Sequence, residues 1–216
     1  MTQEKHWQVM PDKLFDMGPL VPVLVIDKVA DALPIAEALL AANVKVLEVT
    51  LRTPAALDAI AIIAKELPEA IIGSGTVTNK IQLQQSYDAG AKFAISPGLT
   101  GNLLQAGNEG NIALIPGIAT VSELMTGLDY GYDHFKFFPA EASGGTKALQ
   151  SIAGPFPDVR FCPTGGINLQ NINHYLALNN VACCGGSWLV TKQIVADKNW
   201  HAITELAQQA VNHINL

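Results

Sequence analysis

Past its first twenty residues the chain alternates between two apolar periods. Short, near-continuous runs rich in Val, Ile and Phe occur at 21–26 (VPVLVI), 45–51 (KVLEVTL), 70–77 (AIIGSGTV), 92–98 (KFAISPG), 112–118 (IALIPGI), 134–140 (HFKFFPA), 159–166 (VRFCPTGG) and 181–188 (VACCGGSW). These read as strands. Between them apolar residues recur at helical spacing, as in ALPIAEALLAAN, AALDAIAIIAKELP and ALQSIAGPF, and a last amphipathic stretch, WHAITELAQQAVNHINL, closes the chain. Strands that alternate with helices form parallel sheets buried on both faces, which is why the strand runs lack a polar side. Eight such units, about 25 residues each, predict an α/β fold: a single (β/α)8 TIM barrel over residues 21–216. Residues 1–20 are expected to form an N-terminal helical extension covering the barrel bottom, from the pattern WQVMPDKLFDM. The alternative is an open doubly wound sheet. It usually has five or six strands and a glycine-rich turn after the first, which VPVLVIDKVADALP lacks.

Composition narrows the partners. Only 15% of residues are charged and 49% are hydrophobic, as expected for one large core that needs no disulfide staples. With 13 basic and 19 acidic residues and a pI near 5.3, no basic stripe exists to neutralise a nucleic-acid backbone. The start, MTQEKHWQVM, is not a secretory signal, and no run of about 18 apolar residues could span a membrane. The chain therefore reads as cytoplasmic. Cys162, Cys183 and Cys184 have no metal-ligand spacing, and the five histidines form no ligand set, so neither a metal nor a cofactor is expected.

In a barrel of this kind the chemistry sits where strands end and their following loops begin. In the second run Leu47, Val49 and Leu51 share one parity, leaving Glu48, Thr50 and Arg52 to point inward. Two readings stand: a buried Glu48–Arg52 ion pair bracing the barrel, or a carboxyl for proton transfer beside an arginine that forks a substrate carboxylate. The sixth run sets Lys136 among Phe135, Phe137 and Phe138. Such surroundings disfavour an ammonium and favour the free amine that an imine-forming nucleophile needs; the alternative is a lysine that snorkels to water. Thr76 could donate to a carboxylate or cap the next helix, a task for which Thr78 and Asn79 are better placed. Pro97-Gly98 and Pro116-Gly117 read as turns first, with Pro97 a possible apolar wall. The seventh and eighth runs end in Gly165-Gly166 and Gly185-Gly186-Ser187, whose backbone amides sit where barrels bind phosphate, or merely form tight turns.

Together the motifs Glu-Val-Thr-Leu-Arg-Thr (48–53), Gly-Ser-Gly-Thr (73–76), Ile-Ser-Pro-Gly (95–98), Phe-Lys-Phe-Phe-Pro-Ala-Glu (135–141), Pro-Thr-Gly-Gly-Ile (163–167) and Gly-Gly-Ser-Trp (185–188) resemble the 2-keto-3-deoxy-6-phosphogluconate aldolase family, whose bifunctional bacterial members also act on 4-hydroxy-2-oxoglutarate. The resemblance runs from about Val21 to Val190 in unbroken motif order; Ser74 departs from it, where the family usually has alanine. It implies a class I lyase in which Lys136 forms the imine and Glu48 moves protons. Arg52 and Thr76 would hold the pyruvate-end carboxylate, Pro97 and Phe138 would form walls, and Gly165, Gly166, Gly186 and Ser187 would take the phosphate. It also implies a homotrimer acting on small 2-keto acids. The related phosphogalactonate aldolases tend to carry Asn where this chain has Arg52. Two more distant readings are a phosphate-binding barrel isomerase without an imine and a non-catalytic phospho-sugar sensor.

Overall fold

The computed structural model describes residues 7–214. Its strands are β1 (Leu20–Leu24), β2 (Val46–Thr50), β3 (Ile71–Gly75), β4 (Phe93–Ile95), β5 (Ala113–Ile115), β6 (Gly117–Ile118), β7 (His134–Phe137), β8 (Arg160–Pro163) and β9 (Cys184–Gly186). The helices are α1 (Pro11–Asp16), α2 (Ala32–Ala41), α3 (Ala56–Glu66), α4 (Lys80–Asp88), α5 (Gly101–Glu109), α6 (Val121–Asp129), α7 (Gly145–Ala153), α8 (Ile172–Leu176), α9 (Lys192–Ala196) and α10 (Trp200–Ile214). Each of the eight sequence runs contains a strand, and every pairing between strands is parallel.

The strands form a curled six-stranded sheet, ordered β5-β4-β3-β2-β1-β9, and a three-stranded sheet, β6-β7-β8. The expectation of eight continuous strands is therefore met in a coarser form. Run five is divided at Pro116, which has no N–H for a ladder. Ala113–Ile115 pairs with β4, whereas Gly117–Ile118 pairs with β7. Pro116-Gly117, read from sequence as a turn, lies inside this run. Glycine is needed there because a Cβ at 117 would fall 2.5 Å from the Pro97 carbonyl carbon. Isolated bridges Phe161–Val181 and Thr164–Gly185 join the two sheets at β8 and β9.

Leu47, Val49, Phe93, Phe135, Phe137 and Phe161 lie fully buried, and α2 to α8 and α10 each turn buried apolar residues toward the core. Helix α1 begins with Pro11 at its first turn, a position where the missing N–H costs nothing. Phe15 on it meets the His134 ring edge-on at 5.0 Å, at the start of β7. The helix thus lies at the N-terminal end of the strands; residues 1–6 of the expected extension lie outside the described residues. Among the described residues, no helix is long and apolar enough to cross a membrane.

Candidate active site

The C-terminal ends of the strands enclose a cavity of about 170 Å³. All ten residues singled out from sequence line it: Glu48, Arg52, Thr76, Pro97, Lys136, Phe138, Gly165, Gly166, Gly186 and Ser187. Its centre is set by register. Glu48 stands between Val23 of β1 and Gly73 of β3, and Lys136 between Gly117 of β6 and Cys162 of β8. These positions belong to different sheets, and the two side chains reach toward each other across the interior. Lys136 Nζ lies 3.3 Å from Glu48 Oε1, with the residues 6% and 1% exposed. An isolated charge at either place would be costly, and each relieves the other. The ammonium also sits 5.4 Å from the centre of the Phe138 ring.

This pairing decides two readings left open by the sequence. Glu48 pairs with Lys136 and not with Arg52, and Lys136 turns inward instead of snorkelling. Arg52 itself is a correction. It was expected on the strand, pointing inward, but β2 ends at Thr50, and the Arg52 N–H turns back to the Thr50 carbonyl at 2.8 Å. Arg52 is exposed, at the mouth of the cavity. That suits a group that meets a carboxylate arriving from solvent better than one that braces a core. The mouth continues past Val23, Val25, Arg52 and Ser187 into a wider hollow of about 580 Å³.

Thr76 follows Gly75 at φ +60°. A β-branched residue in left-handed conformation is strained, and such strain persists where the surroundings demand a direction for the side chain. Capping is not its task, because Asn79 accepts from Gln82 N–H at the start of α4. Gly165 and Gly166 hold consecutive left-handed angles, +101° and +81°. Their turn leaves the amides of Gly166, Ile167 and Ser187 with no protein acceptor among the described residues. Three such donors on adjoining loops are free to meet an anion.

Thr50 and Gly185, which the sequence placed on the inward side and in the second glycine pair, line the cavity too, whereas Val23, Val25, Thr164 and Ile167 were missed as lining residues. Thr164 is the most informative of them, since its Oγ1 is buried without a partner. Its signal lay inside Pro163-Thr164-Gly165-Gly166, a motif in which the glycines drew the attention. Burial pushes the Cys184 thiol well up; for Cys183, a hydrogen bond with Cys162 and burial act together in the same direction. These are protonated, unreactive packing groups. Among the described residues, no group of three or more His, Cys, Asp or Glu side chains could hold a metal ion.

The family model for KDPG and KHG aldolase matches residues 12–206. The 2-dehydro-3-deoxy-phosphogluconate aldolase of Pseudoalteromonas atlantica is 61% identical, over 96% of both chains. The KHG/KDPG aldolase of Escherichia coli K12 is 58% identical over 98% of this chain and 100% of its own. Among solved structures, KDPG aldolase from Legionella pneumophila, with pyruvate captured at low pH as a covalent carbinolamine intermediate, superposes with a TM-score of 0.93 at 52% identity, covering 95% of this chain and 100% of that one. With the site geometry and these likenesses in agreement, the chain belongs to the KDPG and KHG aldolase family.

Proposed function

We propose that the cavity cleaves 2-keto-3-deoxy-6-phosphogluconate to pyruvate and glyceraldehyde 3-phosphate, and 4-hydroxy-2-oxoglutarate to pyruvate and glyoxylate, through an imine on Lys136. The observation that carries this reading is the buried Lys136–Glu48 contact at 3.3 Å on the cavity floor. The Lys136 amine adds to the substrate C2 carbonyl to give a carbinolamine. Glu48, within reach of the same nitrogen, relays the protons that let water leave. The protonated imine then accepts the electron pair of the breaking C3–C4 bond, while the C4 hydroxyl proton passes to the carboxylate and the aldehyde departs. Protonation of the resulting enamine at C3 and hydrolysis of the imine release pyruvate, returning the water lost earlier. The imine supplies the electron sink, so the reaction calls on no other cofactor.

Arg52 and Thr76 hold the carboxylate of the pyruvate portion, and Pro97 and Phe138 wall its apolar side. The amides of Gly165, Gly166, Gly186 and Ser187, with the Ser187 hydroxyl, take the phosphate; the unpaired donors of Gly166, Ile167 and Ser187 support this assignment. The two sheets are read as one (β/α)8 barrel over residues 21–216, with residues 1–20 as its extension. Support comes from run five, which pairs on both sides of Pro116, and from the bridges joining β8 to β9. Three reduced cysteines fit a cytoplasmic setting. Exposed Ile81, Val121 and Met125 supply apolar surface for a homotrimer, which light scattering would count.

Borohydride reduction in the presence of pyruvate tests the central claim. A reduced adduct is expected on the peptide carrying Lys136, together with pyruvate release in a lactate-dehydrogenase-coupled assay. Turnover of substrate with no adduct would exclude the imine and favour a barrel isomerase chemistry.

A further inference from the structure

Glu141 does not line the cavity and is exposed, yet its backbone and its side chain both meet the Gly165-Gly166 turn. It opens the short 3-10 turn Glu141–Ser143 that follows the strand carrying Lys136, after Phe138, Pro139 and Ala140. Its carboxylate accepts a hydrogen bond from the hydroxyl of Tyr175, a residue of α8 that is 1% exposed. Its own N–H donates to the Gly165 carbonyl at 3.1 Å, next to an Ala140 N–H to Thr164 carbonyl bond of 2.8 Å. Its side chain lies flat over Gly166: a Cβ there would come within 2.8 Å of Glu141 Cβ. On the other side, a Cβ at Gly145 would meet both the Tyr175 hydroxyl and Glu141 Oε1, at 3.2 and 3.3 Å. The side chain is thus held between two glycines and tied to a buried phenol.

We infer that Glu141 and Tyr175 form a clamp that fixes the left-handed Gly165-Gly166 turn against the loop after Lys136, making them positioning residues for the phosphate end of the substrate. The inference rests on the aldolase reading for the identity of that substrate. Two consecutive left-handed glycines have many conformations open to them, and an anion seat made of amides works only if those amides already converge. Burial and the Glu141 carboxylate both raise the pKa of the Tyr175 phenol, which keeps the donor protonated at any working pH. The clamp touches the phosphate loop and not the Lys136–Glu48 contact, so it should serve phosphorylated substrate and be indifferent to the short one.

The test compares Glu141→Ala, Tyr175→Phe, their double variant and Glu141→Gln on both substrates, and measures binding of glycerol 3-phosphate by calorimetry. Glu141→Ala and Tyr175→Phe should each raise KM for the phosphorylated substrate, and Kd for glycerol 3-phosphate, about tenfold, the scale of one lost hydrogen bond to a charged group. Values of kcat should change less than about twofold, and 4-hydroxy-2-oxoglutarate cleavage should be unchanged. Glu141→Gln, which still accepts from Tyr175 and still covers Gly166, should restore near-native values, and the double variant should be no worse than the worse single. Equal losses on both substrates would mean general destabilisation and overturn the clamp. So would tighter glycerol 3-phosphate binding in Glu141→Ala and Glu141→Gln alike, which would make Glu141 a mere repelling charge. If the native protein released no pyruvate from either substrate, the aldolase reading would fall, and the glycerol 3-phosphate titrations would still decide the clamp.

Discussion

Gly75→Ala probes the Glu48 position without touching either charged residue. Gly75 ends β3 directly opposite Thr50, and its φ is not left-handed, so alanine suits the backbone. The added methyl, however, would stand 2.7 Å from both Cγ and Cδ of Glu48. Its nearest approach, 2.0 Å, is to Oε1 itself, against 3.4 Å for ordinary contact, so that oxygen must withdraw by about 1.4 Å or rotate away, and the 3.3 Å approach to Lys136 is lost with it. A positioned acid–base group is worth about 10²–10⁴-fold, so kcat should fall at least about 100-fold, or roughly 2.7 kcal/mol of barrier. Overpacking should add a stability loss of about 1–3 kcal/mol. Gly98→Ala is the control, since a Cβ there has nothing within 4 Å and should leave turnover near native. The coupled pyruvate assay reads the rate, and circular dichroism with a thermal melt establishes that the variant is folded. A folded Gly75→Ala protein with native kcat would refute the argument that Glu48 works from this position.

Lys136→Met should abolish turnover and borohydride adduct formation, and it should also cost about 3–5 kcal/mol because Glu48 is left buried without its partner. Adding Glu48→Gln to it should restore much of that stability and none of the activity, as read by denaturant melts beside the kinetic assay. Glu48→Gln alone should slow turnover about 10²-fold or more with substrate affinity retained; collapse of affinity instead would make the pair structural. Ser74, where the family usually has alanine, buries a hydroxyl with no partner, so Ser74→Ala should be neutral or stabilising by about 0.5–1 kcal/mol, and a lower melting temperature would contradict this. At the start of α6, burial pushes the Glu123 pKa up, but hydrogen bonds from Ala119 N–H and from Thr120 outweigh it and hold the carboxyl below its usual range. A group depressed in this way stabilises above its unfolded pKa and loses that contribution as pH falls through its folded value. Glu123→Ala should therefore cost about 1 kcal/mol near neutrality, a gap that closes in acid melts below the ordinary glutamate range.

The strands were legible because parallel strands buried on both faces leave an uninterrupted apolar signal, and Lys136 was legible because that signal makes an ammonium conspicuous. Glu48 stood out by the same contrast. Arg52 was placed by extending strand parity past Thr50, where the Thr50–Arg52 turn had already ended the strand. Pro116-Gly117 carries turn residues, yet here they divide a strand: Pro116 has no N–H for a ladder, and Pro97 approaches too closely for any side chain at 117. Thr164 and Glu141 were hidden for a different reason: what they do depends on contacts with Gly185 and Tyr175, 21 and 34 residues away, which no local period encodes.

The cavity is built by pairing a polar side chain with a neighbour that has none. Glu48 occupies the space a side chain at Gly75 would fill, Thr164 the space at Gly185, and Glu141 the space at Gly166. Gly75 and Gly185, which lie in strands, weaken their own elements by roughly 0.5–1 kcal/mol each relative to alanine, whereas Gly166 at φ +81° takes a conformation that alanine would adopt only with strain. In return the polar groups are gripped by backbone on one side and face the cavity or its loops on the other, which is the rigidity that acid–base chemistry and anion binding require. The same logic explains why the floor can hold a lysine and a glutamate in a chain with so few charges. The Gly75 backbone leaves room for the Glu48 carboxyl on the cavity floor, where it lies 3.3 Å from Lys136 with both residues buried.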